Sequence, residues 1–377
     1  MIWFLIFTFI LYAILIIALT IGFYKVEEFR SKSNKEVTSF SVVIPFRNEA
    51  KNLPALLESI SKINYSKELV EFILVDDDSS DDSVEIIDNY VSSQLKPLDC
   101  ARGDIFVIKN KRISNSPKKD AITTAISKAK NNWILTTDAD CIVPVNWLNS
   151  LDSFIQQRKP KMVVAPVNYK VENNFLEQFQ LLDFMSMQGT TIGGFGIQFP
   201  FLCNGANFGY KKDEFLKLNG FEGNNNIASG DDIFLFEKFI NADKKSVGYL
   251  KSKEAIVTTF PIKNWTDLIN QRTRWAAKTS NFSSLKVKLI GVIVLLTNFF
   301  VVYYLAIKPV SFLFIPFAVK MMIDLFLLLP TIKFFGHKSS FFKWYIFASL
   351  LYPFFSLAVI LKSIFFRYHW KGRRFKK

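Results

Sequence analysis

The sequence predicts an α/β domain with a mostly parallel sheet, set between membrane-spanning helices. Three observations predict it. Short β-branched runs alternate with helical patterns through the first half of the central segment, the rhythm of strand–helix units over a parallel sheet. Long uncharged or nearly uncharged apolar stretches flank that segment, each of bilayer-spanning length. Half of the 377 residues are hydrophobic, 40 of them Phe, and the mean hydropathy is +0.19, a composition that favours a membrane protein with a soluble part.

Residues 1–24 carry no charge. A secretory leader needs a basic start and a small-residue cleavage site. The start here is uncharged and Tyr24-Lys25-Val26-Glu27 offers no such site, so the segment reads as a transmembrane anchor. Lys25, Arg30, Lys32 and Lys35 follow at once, which places the central domain, 25–284, in the cytoplasm by the positive-inside rule. Within it, 41–44, 72–75, 105–108 and 133–136 read as strands, and 50–61, 83–91 and 119–130 as helices. Residues 163–167 read as one further strand. Residues 175–187 are apolar at helical spacing, which suits either a core-facing helix or one at the bilayer interface. Gly193, Gly194 and Gly196 then read as a flexible turn.

Three apolar stretches close the chain within a C-terminal membrane domain, 285–377: 287–307, 310–329 and 341–366. The basic tail, 367–377, is expected on the cytoplasmic side. Three full crossings would leave it outside, so Pro353 is read as the bend of a re-entrant or interfacial hairpin. Lys320 and Asp324, four apart, read as a mutually neutralising pair.

Charge and residue counts exclude several functions. The chain holds 47 Lys and Arg against 33 Asp and Glu. Residues 285–377 hold 14 of those bases and one acid, Asp324, which leaves 33 bases and 32 acids elsewhere. The excess flanks apolar segments, where anionic headgroups select it, so no nucleic-acid partner is expected. Cys100, Cys141 and Cys203 are too scattered for a metal site or a disulfide framework, and read as reduced thiols. Both histidines, His337 and His369, lie in the apolar C-terminal third. A proton acceptor in the central domain is therefore a carboxylate.

Four motifs carry the chemistry. Asp76-Asp77 ends a strand and opens an acidic run to Asp81. It is no helix–loop–helix calcium loop, because positions six and twelve are Asp81 and Ile87 rather than Gly and Glu. An N-cap explains Ser79 to Asp82 but not the acids at the strand's last residues. Asp138-Ala139-Asp140 ends another strand, and two carboxylates so spaced suit one Mg²⁺ or Mn²⁺ with positions left open for phosphates; chance supplies that triplet often. Asp231-Asp232 suits either a helix N-terminus or a base. Gln271-Arg272-Thr273-Arg274-Trp275 suits an amphipathic surface helix and also a phosphate-binding guanidinium.

In this order, with Ser41 to Glu49 ahead of them and Gly230 before Asp231, the motifs resemble family 2 glycosyltransferases of the membrane-anchored branch, which holds ceramide glucosyltransferase-like enzymes and polysaccharide synthases. The resemblance covers 39–276. It implies a GT-A-type nucleotide-sugar-binding fold. It implies that Asp76 and Asp77 accept from the base, typically uracil, and that Pro45, Arg47 and Glu49 line the nucleotide pocket. Lys118 stands in for the family's Gly-Lys element, with Pro117 where Gly is usual. Asp138 would meet ribose or metal, and Asp140 the metal. Asn204 and Gly205 would line the donor–acceptor cleft. Asp232 would be the general base, with Asp231 in place of the usual Glu. Gln271 and Arg274 would serve the diphosphate, and Trp275 the acceptor. Without a paired acidic nucleophile, inversion is expected.

The expected function is inverting sugar transfer from a nucleotide-diphospho-sugar to a lipid-linked acceptor, at the cytoplasmic face of a bacterial inner membrane. A processive polysaccharide synthase shares the Gln-x-x-Arg-Trp motif, but three C-terminal stretches are few for a polymer channel. An inactive nucleotide-binding scaffold is the rival of another class, and intact Asp140, Asp232 and Arg274 argue against it.

Overall fold

The structure is a computed structural model describing residues 2–31, 35–93, 104–225, 227, 229–279, 284–307, 314–365, 368–370 and 373–375. Cys100, Lys32, Val310 and the tail residues Arg367 and Lys377 lie outside the described residues. The chain divides into two compact units, one of Glu27–Asn168 and Cys203–Phe260, the other of Met1–Val26, Tyr169–Leu202 and Pro261–Lys377.

The strands are β1 (Phe40–Phe46), β2 (Val70–Asp76), β3 (Asp104–Lys109), β4 (Trp133–Thr136), β5 (Met162–Val164), β6 (Val167–Tyr169), β7 (Phe208–Lys211), β8 (Val247–Tyr249) and β9 (Val257–Thr259). Among the described residues, seven of them form one sheet in the order β3-β2-β1-β4-β7-β5-β8. Strands β1 to β4 run parallel, β7 is antiparallel to both β4 and β5, and β8 returns parallel to β5. The first three helices of this unit are the expected crossovers: Leu53–Ser61, Ser83–Ser93 and Pro117–Lys128. Strands β1, β2 and β4 are buried along almost their whole length, as the unbroken apolar runs require of a sheet covered on both faces.

The strand expected over 163–167 is two strands. Pro166, which has no N–H to give a ladder, sits between β5 and β6. Its carbonyl accepts from Val257 N–H at 3.2 Å and Asn207 Nδ2 at 2.8 Å instead.

The second unit is mostly helical, with one short antiparallel pair, Tyr368–Trp370 with Arg373–Phe375. In chain order its helices are α1 (Ile2–Lys25), α6 (Phe175–Gly196), α9 (Trp265–Thr279), α10 (Leu285–Ile307), α11 (Phe314–Phe335) and α12 (Lys338–Phe365); the intervening α2 to α4 are the crossovers above, with α5 (Trp147–Arg158), α7 (Lys212–Lys217) and α8 (Asp231–Asp243) also in the sheet unit. Among the described residues, four helices, in α1, α10, α11 and α12, are long and apolar enough to cross a membrane. The expected boundaries gave residues 169–202 and 261–284 to the soluble domain; α6 and α9 instead pack with the apolar helices.

Two expectations fail here. Gly193, Gly194 and Gly196 form no turn: α6 runs unbroken to Gly196. A Cβ on Gly193 or Gly196 would collide with the backbone of Leu19 or Gly22 on α1, and one on Gly22 with Gly193. The glycines are there to let two backbones meet, the use small residues have between membrane helices. Pro353 makes no hairpin either, because α12 continues through it. Pro is tolerated in apolar helices where neighbours re-satisfy the freed carbonyl. Lys320 and Asp324 do pair, at 2.7 Å, and Tyr12 of α1 adds a bond to Asp324 at 2.5 Å.

Gly193→Val should therefore overpack the α1–α6 crossing and cost about 1–3 kcal/mol. Thermal unfolding of the detergent-solubilised protein checks it, and an unchanged midpoint would remove the crossing from the account.

Candidate active site

Strands β1, β2 and β4 are parallel neighbours, so their carboxyl ends share one edge, where ligands of such sheets bind. Asp76 is the last residue of β2 and Asp138 lies two residues beyond β4. Helices α4 and α8 begin at the same edge, and helix N-termini favour negative charge.

The centre of the site is Lys118. Pro117 opens α4, where its missing N–H costs nothing, and Lys118 follows in the first turn. Its Nζ lies 2.6 Å from Asp138 Oδ1 and 3.2 Å from Asp231 Oδ2. Burial works against the ammonium, but Asp138, Asp231 and then Asp232 more than offset it and raise its pKa above the usual lysine value. Lys118 is thus charged at any pH the protein meets.

Asp231 and Asp232 occupy the first turn of α8, after Gly230 in the left-handed region at φ +85°. The helix-terminus and the site readings of this pair hold together. Asp232 is oriented from both sides: Ile233 N–H donates to Oδ1 at 2.8 Å and Gly205 N–H to Oδ2 at 3.2 Å. A Cβ on Gly205 would stand 3.2 Å from Asp232 Cβ, so glycine is what lets this backbone approach. Thr136 Oγ1 fixes the Gly205 carbonyl at 2.8 Å, tying the loop to the end of β4. Asn204 caps its own loop through Ala206 N–H at 3.0 Å.

Asp138 and Asp140 are half-buried with buried Ala139 between them; Asp138 Oδ1 meets Lys118, and Asp140 Oδ1 lies 3.7 Å from the Cys141 Sγ. Cys141 N–H closes the turn on the Asp138 carbonyl at 3.1 Å. Burial, then Asp140 and Asp138, push the Cys141 thiol far up, leaving it an inert filler. Among the described residues no three His, Cys, Asp or Glu side chains form a closed metal cage. Two carboxylates beside a diphosphate nevertheless suit a hard cation that keeps several positions for water and phosphate.

A second group lies around Asp77. Its carboxylate is buried and accepts from Asn110 Nδ2 at 2.7 Å, with Arg112 Nη1 at 3.5 Å. Arg112 also meets Asp120 at 3.5 Å. Arg47 Nη1 donates to the carbonyls of Asp77 and Asp78 at 2.5 and 2.7 Å. Of the other expected pocket residues, Asp76 accepts from Ser79 N–H at 2.9 Å, Glu49 Oε2 accepts from Asn52 Nδ2 at 2.6 Å, and Pro45 sits in the β1 ladder opposite Val75. Asn110 and Arg112 are not among the site residues expected from the sequence. Asn110 follows the last residue of β3, so the strand-end rule that found Asp76 and Asp138 would have found it. Buried Asn207 accepts from Trp147 Nε1 at 3.0 Å and donates to Pro166 and Ala255 carbonyls.

Gln271, Arg274 and Trp275 lie on α9 of the other unit, half-exposed, whereas Arg272 between them is buried. Arg272 Nε meets Asp183 of α6 at 2.5 Å, its Nη1 donates to Gln271 Oε1, and its Cζ stacks 4.1 Å from the Trp275 ring.

The profile of Glycosyl transferase family 2 matches residues 41–215, and that of Glycosyl transferase family group 2 matches residues 133–361, more than half of the chain. The chain is a family 2 glycosyltransferase. This glycosyltransferase is 32% identical over 125 residues to Glycosyltransferase GlyG of Streptococcus pneumoniae, 33% of this chain and 38% of the relative. It is 32% identical over 107 residues to the undecaprenyl-phosphate 4-deoxy-4-formamido-L-arabinose transferase of Proteus mirabilis, 28% of this chain and 30% of that one. The matches thus span well under half the length of these relatives. In fold it resembles a mannosyltransferase from Pyrobaculum calidifontis solved with GDP-Man and Mn²⁺, at TM-score 0.52 and 13% identity, over 94% of this chain and 99% of that one. That likeness bears out the GT-A-type α/β fold.

Lys118→Met should leave Asp138, Asp231 and Asp232 crowded without their cation. Breaking a dry pair costs about 3–5 kcal/mol. Lys118 is 20% and Asp138 37% exposed, so solvent screening reduces this to about 1–3 kcal/mol. The neighbouring carboxylates raise the Lys118 pKa above its unfolded value, so its contribution is fully present below the ordinary lysine pKa and fades as pH rises above it; the deficit against wild type should shrink in strongly alkaline solution. Denaturation of both proteins from neutral to alkaline pH checks the sign; a deficit that grows as pH rises would contradict it.

Proposed function

We propose that this glycosyltransferase transfers a sugar, with inversion, from a UDP-sugar to a lipid-linked acceptor at the cytoplasmic face of a bacterial inner membrane. The observation that carries the reading is the grouping of Lys118, Asp138, Asp231, Asp232 and Gly205 at one sheet edge. The four candidate spans and the undecaprenyl-phosphate named in the relatives support a lipid-borne acceptor. The basic residues after α1, Lys25, Arg30 and Lys35, support the orientation.

The residues divide the work as follows. Asp77, buried and held by Asn110 and Arg112, has carboxylate oxygens to accept from the base N–H, a uracil by the family resemblance. Lys118 adds a fixed positive charge beside the diphosphate as negative charge develops on it. Asp138 and Asp140 would hold a Mg²⁺ or Mn²⁺, which when bound supplies Lewis-acid neutralisation of the leaving diphosphate. Asp232, held by two N–H groups in a fixed orientation, takes the proton of the acceptor hydroxyl as that oxygen attacks the anomeric carbon. The sugar–diphosphate bond breaks on the opposite face, and the electron pair leaves on the diphosphate. The motif roles of Gln271 and Arg274 on the diphosphate and of Trp275 on the acceptor belong to the same proposal.

Asp232→Asn keeps the shape and removes the base, so transfer should fall about 10²–10⁴-fold. Mass spectrometry of lipids from cells expressing either form should show one lipid gaining a hexose-sized mass only with wild type. Identical lipid profiles would sink the base assignment, and long polymer in place of a single-sugar product would point to a processive synthase.

A further inference from the structure

Arg272 is the one buried cation of the Gln271–Trp275 motif, and it meets Gln271 and Trp275 of that motif together with Asp183 and Tyr169. We propose that Arg272, gripped by Asp183, is a positioning residue that sets the rotamers of Gln271 and Trp275, and so presents the acceptor-binding indole. The inference rests on the acceptor role proposed above for Trp275.

The geometry is that of a clasp. Gln271, Arg274 and Trp275 stand at i, i+3 and i+4 and share one face of α9, half-exposed. Arg272 is 5% exposed and faces the helices instead. Its Nε is bound at 2.5 Å by Asp183, on α6, and Tyr352 of α12 is within hydrogen-bonding reach of the same carboxylate. Burial opposes the guanidinium charge, and Asp183 more than restores it. The held guanidinium then presents one face to the Trp275 ring, 4.1 Å away, and one Nη to Gln271 Oε1. A half-exposed indole alone has several rotamers open to it; one stacked on a fixed cation has one. Lysine cannot replace this, because an ammonium has neither the flat face nor the fork. Arg272 itself touches no open surface, so it is distinct in role from Arg274.

The test uses the full chain in nanodiscs, with undecaprenyl phosphate and UDP-N-acetylglucosamine as probes. The variants are Arg272→Lys and the isosteric Asp183→Asn, with Trp275→Phe as reference. The difference spectrum between wild type and Trp275→Phe isolates Trp275 emission from the other indoles. In both clasp variants that emission should shift, and the acceptor KM should rise about tenfold or more while the donor KM holds. Unchanged Trp275 emission in a folded Asp183→Asn protein overturns the proposal. So does a raised donor KM with an unmoved acceptor KM, which would make Arg272 a diphosphate contact. Should wild type transfer nothing to this acceptor while Trp275 emission still depends on Arg272 and Asp183, the acceptor reading fails and the positioning role stands.

Discussion

The site depends on one ammonium. Asp138 and the pair Asp231-Asp232 come from distant parts of the chain to one sheet edge, and like charges gathered there repel unless a cation stands among them. Lys118 supplies it, at 2.6 Å from one carboxylate and 3.2 Å from a second. The fold makes that placement cheap. Parallel strands bring Asp138 to the edge that α4 enters, and both Lys118 and the α8 acids sit in first turns, where backbone N–H groups already favour anions. Proline in place of the usual glycine before Lys118 fits the same arrangement, since it occupies the helix start, where no N–H is missed.

The sheet was legible because its strands are buried on both faces and read as unbroken apolar runs. Asp76 and Asp138 were legible because strand ends are where such sheets bind ligands. Asn110, the residue after β3, is open to the same rule. Arg112 is not, because it lies in the polar stretch between β3 and α4, which carries no periodicity, and only the fold brings it to Asp77. Asp76 accepts from Ser79 N–H and Glu49 from Asn52 Nδ2, local bonds that help tie down the turns around the site.

Glycine and proline misled for one shared reason. Both break structure in water, and both lose that meaning in an apolar helix, where there is no water to take up a freed backbone group. Gly193, Gly194 and Gly196 read as a turn because they cluster. Their surroundings, Thr191, Ile192, Phe195 and Ile197, are small or apolar, with none of the Asn, Asp or Ser that turns use. That composition marks a helix crossing, and Gly22 on α1 is its counterpart.

Polar groups inside the helical unit follow a single rule. A charge there is expensive unless paired, and two buried clusters among the described residues are paired. Asp324 takes Lys320 from its own helix and Tyr12 from α1; Asp183 on α6 takes Arg272 from α9. Apolar contacts alone leave helices free to slide, since lipid is as good a neighbour as leucine. A directional pair does not slide. The two clusters therefore fix α1 against α11 and α6 against α9 at single registers. The second pair lies within the motif that carries Gln271, Arg274 and Trp275, so the same bond that satisfies a buried charge also fixes the register of the helix that bears them.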